Sequence, residues 1–199
     1  MVQRIATLPW DRTQRRLDVL LVLLAAPFWL PTLGLLLLLK RIFDGGPVLF
    51  GQVRMGRYGK PFVLYKIRTT PSDFHPRPDD WPDEHYPPRT PLGRLLRRMD
   101  LDELPQLWNV LRGEMSLVGP RPETPYHSKK FLRCYPAYAW RWQVRPGLTG
   151  LAQARGWRGD TSIEQRLASD LEYVCGRRAG LYHGILLRTI ASELRRLRR

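Results

Sequence analysis

The sequence predicts a mixed, helix-rich domain of α and β elements, preceded by an apolar segment that enters a membrane and is broken there by proline. Three observations carry the prediction: an uncharged run of 21 residues from Val19 to Leu39, an alternating apolar pattern after it, and helical apolar spacings from Pro91 onward. At 199 residues the chain is long enough for one domain with a real core and appendages, and too short for two large domains.

The basic N-terminal segment, residues 1–16, brings Arg12, Arg15 and Arg16 to the start of the apolar run. Residues 17–40 hold the run itself, whose length meets the ~20 residues that a membrane-crossing helix needs. Pro27 and Pro31 remove the amides that would bond the carbonyls of Leu23 and Pro27, so a sharp bend is expected at Ala26 and Pro27. Lys40, Arg41 and Arg54 follow, and with basic residues at both ends the positive-inside bias gives no direction of crossing. A re-entrant helix, entering one leaflet and returning, satisfies this symmetry better than a span, although a kinked spanning helix also tolerates proline.

Residues 41–199 form the remaining domain. After the break at Gly45, Gly46 and Pro47, the stretches VLFGQVRM and PFVLYKIRTT flank a turn-rich segment from Gly56 to Lys60. Phe62, Leu64 and Lys66 share one alternating face and Val63, Tyr65 and Ile67 the other, which predicts a β-hairpin. The proline- and acid-rich stretch between Pro71 and Pro91 predicts an extended surface loop in which His75 and His85 are solvated. Pro91 suits the first turn of a helix with an apolar stripe of Leu92, Leu95, Leu96 and Met99. A second helix carries Leu104, Leu107, Trp108 and Leu111 and stops at Gly113. Pro105 is tolerable only in its first turn, which puts Asp102 and Glu103 at or just before its N-terminus. Near the chain's end Ile185, Leu186, Ile190, Leu194 and Leu197 recur at helical spacing beside Arg188, Arg195, Arg196, Arg198 and Arg199. This basic amphipathic helix fits a membrane surface and one face of the core equally well. Cys134 and Cys175 lack metal-ligand spacing and read as reduced structural thiols.

Lys and Arg total 33 against 18 Asp and Glu, a formal net charge of +15 that favours polyanions: nucleic acid, anionic lipid or phosphorylated metabolites. Against that background Asp100, Asp102 and Glu103 stand together. Asp100 and Glu103 fit a capping box, which leaves Asp102 without a structural duty. Three neighbouring carboxylates repel unless Arg97, Arg98 or a divalent metal compensates them. Arg121 between Pro120 and Pro122, and Arg145 before Pro146, are stiffly mounted guanidinium groups suited to phosphate or carboxylate, and are also ordinary loop features. No Walker loop, dinucleotide glycine fingerprint, zinc spacing or nucleophile elbow appears.

The blocks KRIFDGGPVLFGQVRMGRYGKPFVLYKIRTT, RRMDLDELPQLWNVLRGEMSLVGPRPE and VRPGLTGLAQARG closely resemble, in that order, the bacterial sugar transferase family, the monotopic phosphoglycosyl transferases. The resemblance runs from about Arg15 to Val174. It implies an α/β catalytic domain, of helix-rich α+β type, held by a re-entrant membrane helix on the cytoplasmic face of the bacterial inner membrane. It implies transfer of a phosphosugar from a UDP-sugar to polyprenyl phosphate, usually undecaprenyl phosphate, with release of UMP. That reaction would be the first membrane step of a glycan such as an exopolysaccharide, O-antigen, capsule or glycoprotein. The family's dyad falls on Asp102, the expected nucleophile toward the β-phosphorus, and Glu103, expected to position or deprotonate the acceptor. Mg2+ is the expected cofactor, held at Asp102 with Glu103 as a second candidate ligand. The family's basic positions fall on Lys66, Arg97, Arg121 and Arg145, expected to bind phosphate oxygens. Donor, acceptor and inner-membrane lipids are the expected partners, and nucleic acid is not; the oligomeric state is open, a homodimer included.

Three positions depart from the family pattern. Ala26 stands where many members have serine at the helix break, Asp100 replaces a common serine, and His183 stands where aspartate is frequent. The rival reading is a noncatalytic membrane-tethered basic protein that binds anionic lipid or nucleic acid through its arginines.

Overall fold

The computed structural model describes residues 9–74, 88–157 and 161–197, so His75 and His85 lie outside the described residues. The helices are α1 (Pro9–Leu24), α2 (Ala26–Asp44), α3 (Pro91–Arg98), α4 (Gln106–Arg112), α5 (Pro125–Cys134), α6 (Leu151–Ala154), α7 (Ile163–Gly176) and α8 (Ala179–Leu197). Among the described residues four strands, β1 (Leu49–Met55), β2 (Pro61–Ile67), β3 (Ser116–Val118) and β4 (Gly147–Thr149), make two separate two-stranded sheets. The architecture is therefore the expected helix-rich α+β type.

Helix α1 turns one polar stripe inward. Asp11, Gln14, Asp18 and Val22, each three or four positions after the last, are buried, while Leu20, Leu21, Leu23 and Leu24 are exposed. Buried polar groups require partners. Gln14 Nε2 donates to the Val118 carbonyl at 2.9 Å, and Asp18 accepts from Ser116 Oγ at 2.7 Å, the Leu117 amide at 3.1 Å and the Tyr182 hydroxyl at 2.8 Å. The boundary expected between residues 16 and 17 thus falls inside one continuous helix, whose first half buries Asp11 and Gln14 and leaves Arg12 and Arg16 exposed.

The helix break falls at Ala25, one residue earlier than expected; Ala26 opens α2 and Pro27 occupies its first turn, where an amide is not needed. The amides of Phe28 and Trp29 both reach the Ala25 carbonyl, at 3.0 and 3.1 Å. Without a serine at position 26, the Trp29 indole takes over part of the repair by donating to the Val22 carbonyl at 3.1 Å. Pro31 sits inside α2 without ending it. Among the described residues α2 is the one helix long and apolar enough to cross a membrane, and Phe28, Leu30, Leu35, Leu38, Ile42 and Phe43 lie exposed on it. Its far end is tied to α3: buried Lys40 pairs with Asp44, Asp44 accepts from the Thr90 hydroxyl at 2.7 Å, and Thr90 caps α3 by accepting from the Gly93 amide at 3.0 Å.

The predicted hairpin forms with Val53 opposite Val63, turning through Arg57–Gly59. The stripe expected on α3 splits, with Leu96 in the core and Leu95 and Met99 exposed. The tail helix splits too: Tyr182 and Ile185 enter a core cluster with Val118, Val144, Leu151, Tyr173 and Val174, whereas Leu187, Ile190 and Leu194 face outward. Strands β3 and β4 pair in parallel, Ser116 with Gly147 and Val118 with Thr149, which brings the two proline-mounted arginine blocks together. A Cβ on Gly147 would lie 2.0 Å from the Gly119 amide, so only glycine admits this approach. Cys134 and Cys175 are free and exposed.

Candidate active site

The acidic cluster lies on a 3₁₀ turn, Leu101–Glu103, between α3 and α4. Asp100 enters the turn in the left-handed conformation, with φ 52° and ψ 18°, which aspartate tolerates better than most residues. The Glu103 amide then bonds the Asp100 carbonyl at 3.1 Å and the Leu104 amide the Leu101 carbonyl at 3.3 Å. The Asp100 side chain makes no capping bond. Its carboxylate instead pairs with Arg196 at 3.0 Å, so the capping-box explanation of the cluster is replaced by two distinct ion-pair systems.

The two carboxylates of the dyad have opposite surroundings. Asp102 is 1% exposed, its Oδ2 is a long 3.5 Å from Arg97 Nη1, and its Oδ1 is buried without a hydrogen-bond partner. Burial pushes its carboxyl above the usual 3.8, and the nearby Lys66 charge offsets this only in part. Glu103 is saturated: Oε1 accepts from Lys66 Nζ at 2.7 Å and Arg121 Nη2 at 2.5 Å, and Oε2 from Arg121 Nη1 at 3.4 Å. Burial alone would raise its carboxyl, but the charges of Arg121 and Lys66 overcome this and hold it well below the usual range. The Glu103 charge in turn raises the Arg121 guanidinium, whereas burial lowers the Lys66 ammonium despite Glu103.

Each cation has its own brace. Lys66 sits on β2 beside Tyr65, whose amide donates to Asn109 Oδ1 at 3.2 Å, and Asn109 Nδ2 donates to the Val63 carbonyl at 2.8 Å. The fully buried Asn109 side chain thus serves the open edge of β2 as a further strand would. The carbonyl of Arg121 accepts from Arg141 Nη2 at 2.8 Å, and Arg141 is itself buried against Asp170 at 2.8 Å. In the sequence Arg54 is a charge flanking the membrane segment. It reaches the same neighbourhood, donating to the Pro122 carbonyl at 3.2 Å and lying 3.7 Å from Glu123. The available signal was its place on the hairpin, which carries Lys66 on the paired strand.

Lys66, Arg97, Arg121, Asp102 and Glu103 therefore converge. Arg145, expected among the phosphate binders, does not join them: its Nε donates to the Gly113 carbonyl at 3.0 Å, and the charges around it are Arg57, Arg15, Asp11 and Asp18. Gly113 follows the last residue of α4 and its carbonyl captures this guanidinium, while Arg15 takes the last-turn carbonyls of Val110 and Leu111. His183 is exposed on α8, with Nδ1 2.8 Å from the Ala179 carbonyl.

The orphaned Oδ1 of Asp102 fits one oxygen ligand to Mg2+. Glu103 fits that role poorly because both its oxygens are occupied by cations. No group of three or more His, Cys, Asp or Glu side chains with metal-holding geometry occurs among the described residues, so any ion here would complete its shell with phosphate and water.

Residues 10–196 match the family model described as bacterial sugar transferase. The chain is 44% identical over 193 residues, 92% of its length, to a UDP-glucose:undecaprenyl-phosphate glucose-1-phosphate transferase of Caulobacter vibrioides, 70% of which it covers. It is 38% identical over 165 residues to the protein of the same name from Escherichia coli, 81% of this chain against 36% of that one. It is 32% identical over 183 residues to a UDP-N-acetylgalactosamine-undecaprenyl-phosphate N-acetylgalactosaminephosphotransferase of Aeromonas hydrophila, 91% of this chain against 43% of that one. The chain thus spans about a third to two thirds of the length of these relatives, whose names specify different sugars.

Proposed function

The chain belongs to the bacterial sugar transferase family, and from that premise we propose that it transfers a phosphosugar from a UDP-sugar to undecaprenyl phosphate or a related polyprenyl phosphate, releasing UMP. The observation that carries this reading is the unequal dyad. One carboxylate is saturated by cations, and its neighbour is buried and undersatisfied.

In the first step an Asp102 carboxylate oxygen attacks the β-phosphorus of the donor. The new aspartyl–phosphorus bond forms as the bond to the bridging oxygen breaks, and UMP leaves with that electron pair. In the second step a phosphate oxygen of the polyprenyl acceptor attacks the same phosphorus and returns Asp102 to its free carboxylate. Lys66 and Arg121 orient the diphosphate with the N–H groups that Glu103 does not use, and Arg97 holds Asp102 in line. Glu103 acts as the template for those two cations; a carboxylate held so far below the usual range is a weak base. Mg2+ bound through Asp102 Oδ1 would supply neutralisation of diphosphate charge.

The exposed leucines of α1 and α2 support attachment to the cytoplasmic face of the bacterial inner membrane by a re-entrant helix pair, close to a lipid acceptor. Purified protein given a panel of UDP-sugars, Mg2+ and undecaprenyl phosphate should release UMP from at least one donor. With the acceptor withheld, mass spectrometry should find a sugar-phosphate on Asp102. Salt-sensitive binding of polyanions without UMP release would instead favour the noncatalytic tether.

A further inference from the structure

We propose that Arg196, near the end of the C-terminal helix, is a positioning residue for the dyad: by clamping Asp100 and the last turn of α3 it fixes the 3₁₀ turn that carries Asp102 and Glu103. The inference rests on the assignment of that dyad made above.

Helix α8 is anchored at its first half and free to act as a strut at its second. The Tyr182 hydroxyl donates to Asp18 at 2.8 Å, Ile185 is 1% exposed in the core, and the hydroxyls of Thr189 and Thr149 meet at 2.8 Å. From Thr189 the helix rises about 10 Å to Arg196 at the standard pitch. There Arg196 Nη2 makes contacts across a sequence separation of 98 residues: it donates to the Arg98 carbonyl at the C-terminal end of α3 and lies 3.0 Å from Asp100 Oδ2. Glu193, three residues back on α8, lies 3.2 Å from the same nitrogen and aims the guanidinium.

The clamped point is where the chain changes hand. Asp100 is the left-handed residue between α3 and the 3₁₀ turn, and its carbonyl accepts the Glu103 amide. Holding its carboxylate and the Arg98 carbonyl on one guanidinium sets the orientation of that peptide, and with it the direction in which Asp102 enters the site. With both side chains more than a third exposed, at 36% and 42%, the pair adds little to global stability. Its effect belongs to the geometry of the turn.

The test compares Arg196→Gln, Arg196→Lys, Asp100→Asn and the Arg196→Gln/Asp100→Asn double variant in the full chain, purified in detergent. Arg196→Gln should lower kcat for UMP release about tenfold, a loss in keeping with misplacement of a reacting group, with KM for the donor changed less than about twofold. Arg196→Lys should recover part of that loss, because an ammonium keeps the charge without the planar fork. The melting temperature should stay unchanged, while hydrogen exchange at the Glu103 and Leu104 amides should quicken at least about tenfold. In the double variant the losses should fail to multiply, since both single changes break one clamp. Wild-type kcat and unchanged exchange in Arg196→Gln, or losses that multiply independently, would overturn the proposal. If the wild-type protein releases UMP from no donor, the transferase reading falls, and the exchange measurement still decides whether Arg196 holds the turn.

Discussion

Replacing Asp102 by asparagine and Glu103 by glutamine should shift stability in opposite directions, although the two residues are adjacent. Asp102 is 1% exposed, has one cation at 3.5 Å and leaves Oδ1 without a partner, so little of its lost hydration is repaid. Neutralising such a group recovers several kcal/mol of desolvation, about 1–3 of which is forfeited again if the new amide N–H stays unpaired. The net expectation for Asp102→Asn is a gain of about 1–2 kcal/mol, or roughly 3–6 °C in melting temperature for a domain of this size. Glu103 is the reverse case. Its removal strands Lys66, which is 13% exposed, while Arg121, at 41%, can turn to water. Breaking a buried pair costs about 3–5 kcal/mol, which the exposure of Arg121 discounts to about 2–3 for Glu103→Gln. Intrinsic tryptophan fluorescence during heating reads both variants, and a UMP-release assay on the same samples should show Asp102→Asn inactive yet more stable. A loss of stability in Asp102→Asn as large as in Glu103→Gln would mean that the Asp102 charge is well compensated, and the argument for a poised nucleophile would fail.

Arg145→Ala should cost about 1 kcal/mol through the lost bond to Gly113 and leave the donor KM within about twofold; a tenfold rise would return Arg145 to the phosphate-binding set. Gly93→Ala places a Cβ 2.1 Å from the Thr69 carbonyl oxygen, so α3 must move away with Arg97 on it. Destabilisation of about 2 kcal/mol or more and slower UMP release are expected, and a variant melting like wild type would contradict that packing. Because Glu103 is ionised more readily when folded than when unfolded, its contribution is complete above its ordinary 4.5 and is lost as pH falls through the lower folded value. Urea unfolding across that acid range should show a loss of stability that Glu103→Gln lacks. Cysteines placed at Arg12 and Arg57, in a background without Cys134 and Cys175, should both be labelled from the cytoplasm alone; labelling from opposite sides would make α1 and α2 a kinked span.

What the sequence disclosed depended on whether the information was local. The hairpin, the start of α3 at Pro91 and the helix break near Pro27 follow from alternation, proline geometry and missing amides, all properties of a few adjacent residues. The fate of Arg145 was not local: its proline mount gave stiffness but no direction, and the acceptor it meets belongs to α4, more than 30 residues earlier. The polar stripe of α1 was hidden for a different reason. Asp11, Gln14 and Asp18 look like a solvated face until Arg57 and Arg177 arrive from distant segments to pair with Asp11, and Ser116, Tyr173 and Tyr182 to bond Gln14 and Asp18. Arg54, a charge following an apolar run, has an ordinary explanation in the sequence, and only the folded hairpin carries it toward Arg121.

The paradox of acid in so basic a chain resolves through the division of labour between the two carboxylates. A nucleophile gripped by Lys66 and Arg121 would be electrostatically quenched, and the same cations, left unheld, would have no fixed place at which to meet a diphosphate. Glu103 removes both difficulties by accepting from each of them, which leaves Asp102 with Arg97 as a distant ion-pair partner, the field of Lys66 and an unused oxygen. It does so without exhausting them, since an ammonium carries three donors and a guanidinium five, and the contacts to Glu103 use one and two. On this reasoning Glu103→Ala should harm donor binding more than Glu103→Asp, whose shorter carboxylate can still hold one cation. Equal donor KM values in the two variants would show that the cations hold their positions without it.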